Sequence, residues 1–184
     1  MAQQGPALRG ATVVAVNGIV YEFGLSGSDP AGGTTPVGWT YDPTANVWAQ
    51  NGPVDPTARW YAALAELNGV IYVVGGDFPQ NFDTGMTVVE AYDIAQGTWT
   101  TLAPLNTGRG QDAAVALNGQ IYAIGGYNNG QALNSVEIYN PASNTWTQSP
   151  HTLATTAGSV SAMVLNGTIY VLSLIHISEP TRPY

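Results

Sequence analysis

No cysteine occurs anywhere in the chain, which excludes disulfides, a thiolate zinc site and a thiol nucleophile within it. The redox compartment stays open, since absence of cysteine fits any. Lysine is missing too: four arginines face twelve acids, and the net charge is −8. Binding a polyanion needs clustered cations, so no nucleic-acid partner is expected. No run approaches the roughly 20 apolar residues of a membrane-spanning helix, and the N-terminus lacks the basic and apolar regions of a signal peptide. The Thr-, Asn-, Gly- and Ala-rich composition is of the kind found in secreted or envelope-attached bacterial proteins, which favours an extracellular or envelope location.

What the chain does have is a message written four times. Asn-Gly recurs at Asn17-Gly18, Asn68-Gly69, Asn118-Gly119 and Asn166-Gly167, at intervals of 51, 50 and 48 residues. Each pair precedes a short apolar run with a tyrosine at fixed offset: Tyr21, Tyr72, Tyr122 and Tyr170. Such a period marks a repeat architecture. In the second copy Arg59 to Leu67 and Val70 to Val74 flank the turn as a hairpin. Gly75-Gly76 ends it, a loop follows, and Thr87 to Tyr92 and Thr98 to Leu102 read as third and fourth strands. The third copy repeats this with Asp112 to Leu117, Gln120 to Ile124, Gly125-Gly126, Ser135 to Tyr139 and Trp146. The first runs from Arg9 to Val16 and Ile19 to Phe23, then to Tyr41 and Trp48. Tyr41 and Trp48, Tyr92 and Trp99, and Tyr139 and Trp146 are each seven apart, whereas the stretch after the glycines varies. The sheet is fixed and one loop is free.

Four apolar residues before a double glycine (Ile71-Tyr72-Val73-Val74-Gly75-Gly76 and Ile121-Tyr122-Ala123-Ile124-Gly125-Gly126), followed by the spaced Tyr and Trp, resemble the kelch repeat. The resemblance covers the chain to about Val171. It implies an all-β, kelch-type β-propeller that is incomplete: three four-stranded blades, about 9–50, 59–102 and 109–148, and part of a fourth at 158–171. Propellers close with about four to eight blades, so this is an open arc, with missing blades expected to pack at both ends and apolar flanks exposed there. Two departures stand out. Leu25 occupies the place of the first blade's second glycine, and Ala157 occupies the place of Arg9, Arg59 and Arg109.

From Leu172 to Arg182 the repeat is lost. This run resembles the translation of a transposon-derived adapter used in sequencing libraries, so 172–184 is read as an artefactual tail in which His176, Glu179 and Arg182 carry no function. Its alternation through Leu174, His176 and Ser178 is also that of a natural last strand. Ala2 to Leu8 reads as the end of a blade-joining loop.

In an up-and-down blade, alternate connections fall at opposite ends. The Asn-Gly turns and the turns before Trp48, Trp99 and Trp146 share one face. The loops after the glycines (25–37, 77–86 and 127–134) and the blade-joining loops (51–58, 102–110 and 149–158) share the other. Function on repeat proteins sits where length varies, so Asp77, Phe78, Asn81, Phe82, Asp83, Tyr127, Asn128 and Asn129 are the candidate contacts with a protein or carbohydrate partner.

Gly75, Gly76, Gly125 and Gly126 are structural, since no helix follows to cradle a phosphate. Tyr41, Trp48, Tyr92, Trp99, Tyr139 and Trp146 could stack sugars, but their repetition makes them blade-packing residues. Arg9, Arg59 and Arg109 either line a central channel for an anion or bond nearby backbone and acids. Glu90 and Glu137 are repeat features. Glu22, where later blades have Val73, Ala123 and Val171, is a functional acid, a partner of Arg9 or a residue at an exposed edge of the arc. Asn166-Gly167-Thr168 has the form of a glycosylation sequon but occupies the hairpin turn.

No catalytic residue, metal site or cofactor is expected. Kelch-like propeller enzymes offer the alternative reading. A galactose oxidase-like copper site needs a Tyr linked to Cys and several His, whereas His151 is the one histidine before the tail. A sialate mutarotase-like site would lie largely on blades outside this chain.

Overall fold

The computed structural model describes residues 8–26, 35–79 and 81–173, and every regular element among them is a strand. In chain order these are β1 (Leu8–Val16), β2 (Ile19–Ser26), β3 (Thr35–Asp42), β4 (Val47–Ala49), β5 (Ala63–Leu67), β6 (Val70–Val74), β7 (Asp77–Phe78), β8 (Asn81–Gly85) and β9 (Val89–Asp93). They continue as β10 (Thr98–Thr101), β11 (Ala113–Leu117), β12 (Gln120–Ile124), β13 (Tyr127–Asn128), β14 (Gln131–Ala132), β15 (Val136–Asn140), β16 (Thr145–Gln148), β17 (Val160–Leu165) and β18 (Thr168–Ser173). Three antiparallel four-stranded sheets result, β1-β2-β3-β4, β5-β6-β9-β10 and β11-β12-β15-β16, followed by a β17-β18 hairpin. The first strands β1, β5, β11 and β17 lie side by side, so the sheets fan out from a shared inner edge. The expected incomplete β-propeller of stacked blades is what the chain forms.

The four Asn-Gly pairs are all tight turns with both residues in the left-handed region, Asn at φ 51° to 55° and Gly at 74° to 82°. That conformation suits the right-handed twist of the strands it joins. Nothing lies within 4 Å of a Cβ added to these glycines, so conformation alone selects them. The double glycines have a different reason. A Cβ on Gly75 would stand 2.3 Å from the Arg109 carbonyl oxygen, and one on Gly125 would stand 2.7 Å from that of Ala157. Gly76 and Gly126 donate their N–H groups to the same two carbonyls, each at 2.8 Å. The bare backbone is where one sheet is laced to the next. Ala157 keeps this role without the arginine side chain.

The seven-residue spacing is a register. Tyr41 lies directly opposite Trp48, Tyr92 opposite Trp99 and Tyr139 opposite Trp146 across the last hairpin of each sheet, with ring centroids 5.0, 5.2 and 5.1 Å apart. The turn between is closed by its own polar groups. The Tyr139 hydroxyl donates to Asn144 Oδ1 at 2.8 Å, as Tyr41 does to Asn46, and both asparagines have positive φ. Trp146 also reaches backwards, donating from Nε1 to the Ala103 carbonyl at 2.9 Å.

Between the sheets are three apolar layers. Val16 and Phe23 meet Ile71 and Val73; Tyr72, Val74 and Val89 meet Ile121, Ala123, Tyr139 and Trp146; Ile124 and Val115 meet Val160 and Leu153. The outward faces of the end sheets carry the expected exposed apolar residues, Val13 at one end and Met163, Tyr170 and Leu172 at the other.

The first sheet differs where Leu25 replaces the second glycine. With a side chain there, β2 does not stop: it runs on to Ser26 and stays paired with β3 from Thr35, and Leu25 is 1% exposed. The sequence places the end of this strand at Phe23, three residues early. At the other end β18 includes Leu172 and Ser173; residues 174–184, and the expectations made for them, lie outside the described residues.

Candidate functional site

On the loop face, the chain after each double glycine folds back as a small hairpin, β7 with β8 and β13 with β14. The first residue of each is pinned to the start of its own sheet. Asp77 and Trp60 exchange both backbone hydrogen bonds, at 2.7 and 3.0 Å, and so do Tyr127 and Gly110, at 2.8 and 3.0 Å. The hairpins are neighbours, with β8 beside β13.

This geometry sorts the candidate contacts. Phe78 is 45% exposed, Asn81 and Asn129 are exposed, and Tyr127 and Asn128 are half-buried. Asp77 is not a surface residue: it has 0% exposure and accepts a hydrogen bond from Gln111 Nε2 on Oδ2 at 3.2 Å. The pairing that makes it the first residue of a hairpin turns its carboxylate inward. The side chains of Phe82 and Asp83 lie outside the described part.

Residues that sequence reasoning passed over complete the face. Tyr61, Gln111 and Ser159 stand at the entry to the first strands of successive sheets, all with positive φ (52°, 55° and 49°). They are linked around the inner rim: Tyr61 N–H donates to the Gly10 carbonyl at 3.1 Å, Gln111 N–H to that of Tyr61 at 3.0 Å, and Val160 N–H to that of Gln111 at 3.0 Å. The Ser159 hydroxyl donates to Gln111 Oε1 at 2.8 Å. Tyr61 presents its ring to solvent, 44% exposed. The signal was available: two residues beyond Arg9, Arg59, Arg109 and Ala157 the repeats stop agreeing, with Ala11, Tyr61, Gln111 and Ser159.

Beneath the rim are buried ions. Arg59 Nε and Nη2 grip both oxygens of Asp55 at 2.7 and 3.0 Å, Nη2 also contacts Glu90, and Nη1 donates to the carbonyls of Gly75 and Val88 at 3.0 and 3.1 Å. Arg109 donates to Glu137 at 2.7 Å and to the carbonyls of Gly125 and Ser135 at 2.9 and 3.3 Å. Of the two readings of these arginines, the bonding one describes both. Arg9 departs from it and is exposed. Burial raises the Glu90 carboxyl, as does the hydrogen bond it shares with Asp55, while Arg59 pulls the other way.

Glu22 neither pairs with Arg9 nor sits at an exposed edge. It is buried, its Oε2 has no partner among the described residues, and burial raises its pKa. Register explains its presence. Val73 pairs with Glu90 and Ala123 with Glu137, while the same rung of the first sheet is Glu22 with Trp39. The acid has crossed to the adjacent strand.

Asp112, which sequence reasoning also missed, is the most perturbed acid. Burial pushes its carboxyl up to about 8 against the pull of Arg109, with Asp77 adding to the rise. Among the described residues, no other residue gives either of its buried oxygens a hydrogen bond. At neutral pH this group is mostly protonated. Among the described residues no group of three His, Asp or Glu side chains is placed to hold a metal ion, and no helix is long and apolar enough to cross a membrane.

The comparisons with known proteins agree with this architecture. The family model for the kelch motif matches residues 58–106 and 113–151. The chain is 36% identical to Kelch-like protein 33 of Homo sapiens over 126 residues, which is 67% of this chain and 23% of that protein. It is 32% identical to Kelch-like protein 23 of Mus musculus over 132 residues, 72% of this chain and 23% of that protein. Kelch-like ECH-associated protein 1B of Danio rerio is 33% identical over 111 residues, 58% of this chain and 18% of that protein. The chain thus spans about a quarter of the length of the first two. These relatives are eukaryotic and do not bear on the bacterial, secreted character suggested by composition.

Proposed function

Because this chain belongs to the kelch-repeat family, we propose that it is a non-catalytic interaction module that binds a protein partner through its loop face. One observation carries the reading. What the repeats share closes the turns at one end or packs within and between sheets, whereas the side chains in which they differ, Tyr61, Gln111, Ser159, Phe78 and Tyr127, gather at the other end. Exposed aromatic side chains on a rigid frame are what protein interfaces use as anchors, and Tyr61 and Phe78 are of that kind. The resemblance to Kelch-like ECH-associated protein 1B, whose name records an association, supports a protein rather than a sugar as partner.

The test compares the two ends of the sheets. A photo-crosslinking side chain at position 78 is expected to give discrete protein adducts that disappear in Tyr61→Ala, while the same group at position 118, on the opposite turn face, gives none. Equal labelling from both positions would refute the assignment, and a response on a glycan array without protein adducts would move it to carbohydrate.

A further inference from the structure

The four Asn-Gly turns share one conformation but not one chemistry. Asn17, Asn68, Asn118 and Asn166 are all exposed, and open space surrounds the glycine that follows each. Asparagine before glycine is prone to cyclise, because no Cβ shields the glycine nitrogen from the side-chain amide. One turn differs from the rest. Glu66 Oε1 accepts the N–H of Gly69 at 2.8 Å. At the same place, two residues before the asparagine, the other repeats carry Ala15, Ala116 and Val164, whose side chains have no acceptor to offer Gly18, Gly119 or Gly167.

The comparison is closest between the second and third sheets. Leu67-Asn68-Gly69 and Leu117-Asn118-Gly119 have the same sequence and sit in hairpins of equal register. Their backbones agree, with φ 55° and 52° at Asn and 81° and 76° at Gly. Glu66 against Ala116 is what separates them. We propose that Asn118, together with Asn17 and Asn166, is a site of self-catalysed deamidation, and that Glu66 guards Asn68 against it. In this step the glycine amide nitrogen attacks Cγ of the asparagine. The N–Cγ bond forms, the Cγ–Nδ2 bond breaks, and the amide proton leaves with the side-chain nitrogen as ammonia. Water then opens the cyclic imide at either carbonyl, giving aspartate or isoaspartate, and nothing is oxidised or reduced. The attacking nitrogen must shed its proton and turn towards Cγ. A carboxylate that holds the N–H opposes both.

The products matter to the fold. Isoaspartate routes the chain through the side-chain carbon and so lengthens the backbone of a turn that sets the strand register, and either product adds a negative charge. The isoaspartyl carboxyl is also the substrate class of a repairing carboxyl methyltransferase. None of this depends on what the loop face binds.

Peptide mapping by mass spectrometry follows each asparagine separately in the full chain held at pH 8. Asn118 is expected to convert about tenfold faster than Asn68, the factor that a charge-assisted hydrogen bond supplies. Glu66→Ala gives the second hairpin the residue that the first and third already carry at that place. It is expected to raise Asn68 to the rate of Asn118 and to leave Asn118 unchanged. In urea, where the turns are lost, Asn68 and Asn118 of the unaltered chain should react alike. No conversion at Asn118, equal rates in the folded chain, a slower Asn68 in the Glu66→Ala variant, or an Asn68 that stays slow in urea would each overturn the proposal.

Discussion

Arg109 and Glu137 form an ion pair at 2.7 Å with neither side chain exposed to solvent. Asn106 and Thr107, from the segment joining the second and third sheets, donate their backbone N–H groups to the same carboxylate at 2.8 and 3.0 Å. The pair therefore ties the segment joining the second and third sheets to the third strand β15, and its value depends on its being complete. Removing one member of a buried pair leaves an uncompensated charge and costs about 3–5 kcal/mol, whereas apolar replacement of both is often near neutral. Glu137→Leu is expected to be destabilising by that amount in urea unfolding, and Arg109→Met with Glu137→Leu to recover much of it. A double variant as unstable as the single one would show that the loop amides, not the arginine, dominate.

Asp112 gives stability an unusual pH dependence. Its folded pKa of about 8 lies above the ordinary 3.8, so the folded state holds the proton more tightly than the unfolded chain. This contribution is fully present below about pH 4 and is lost as pH rises to about 8, beyond which it is flat. Asp112→Asn, which keeps the shape and cannot ionise, is expected to remove the decline and to raise stability at pH 8 by on the order of 1–3 kcal/mol. Chemical denaturation at pH 5 and pH 8 measures both.

The glycines divide into two kinds that substitution should separate. Gly69→Ala meets no atom within 4 Å and strains only φ, for a cost of about 1 kcal/mol. Gly75→Ala drives a Cβ into the Arg109 carbonyl at the lacing between sheets and is expected to cost several times that, about 3 kcal/mol or more. Thermal melts of the two variants would decide it, and similar losses would contradict the distinction.

Leu25→Gly restores the double glycine of the other sheets, yet it is expected to destabilise. The leucine is buried to 1% exposure and lies in a strand still paired at Pro36. Loss of a buried leucine side chain costs about 2–5 kcal/mol, more than any gain from resembling the repeat.

Much of the frame was legible because it follows from local chemistry. Asn-Gly fixes the starts of β6 and β12 and the double glycine their ends, and the unvarying Tyr–Trp spacing is a register. The exceptions arise where a side chain's fate depends on pairing that no local pattern encodes. Asp77 looks like a polar loop residue until Trp60 captures its backbone. Glu22 looks misplaced until Trp39 is seen across the rung. Arg9 matches the other arginines in position, but Trp39 occupies the rung where Glu90 and Glu137 supply them with an acid. Tyr61, Gln111 and Ser159 escaped notice because they precede the regular strands and are single residues rather than a long variable loop.

The lacing of each double glycine to the next sheet's first strand has a consequence for how the molecule loosens. Since the sheets are joined in series, opening should spread like unzipping, from the ends towards the middle. Amide protons of Ile71, Val73, Ile121 and Ala123 should outlast those of β1 and β17 under deuterium exchange, so the chain would carry a gradient of protection along its length and not a single unfolding threshold.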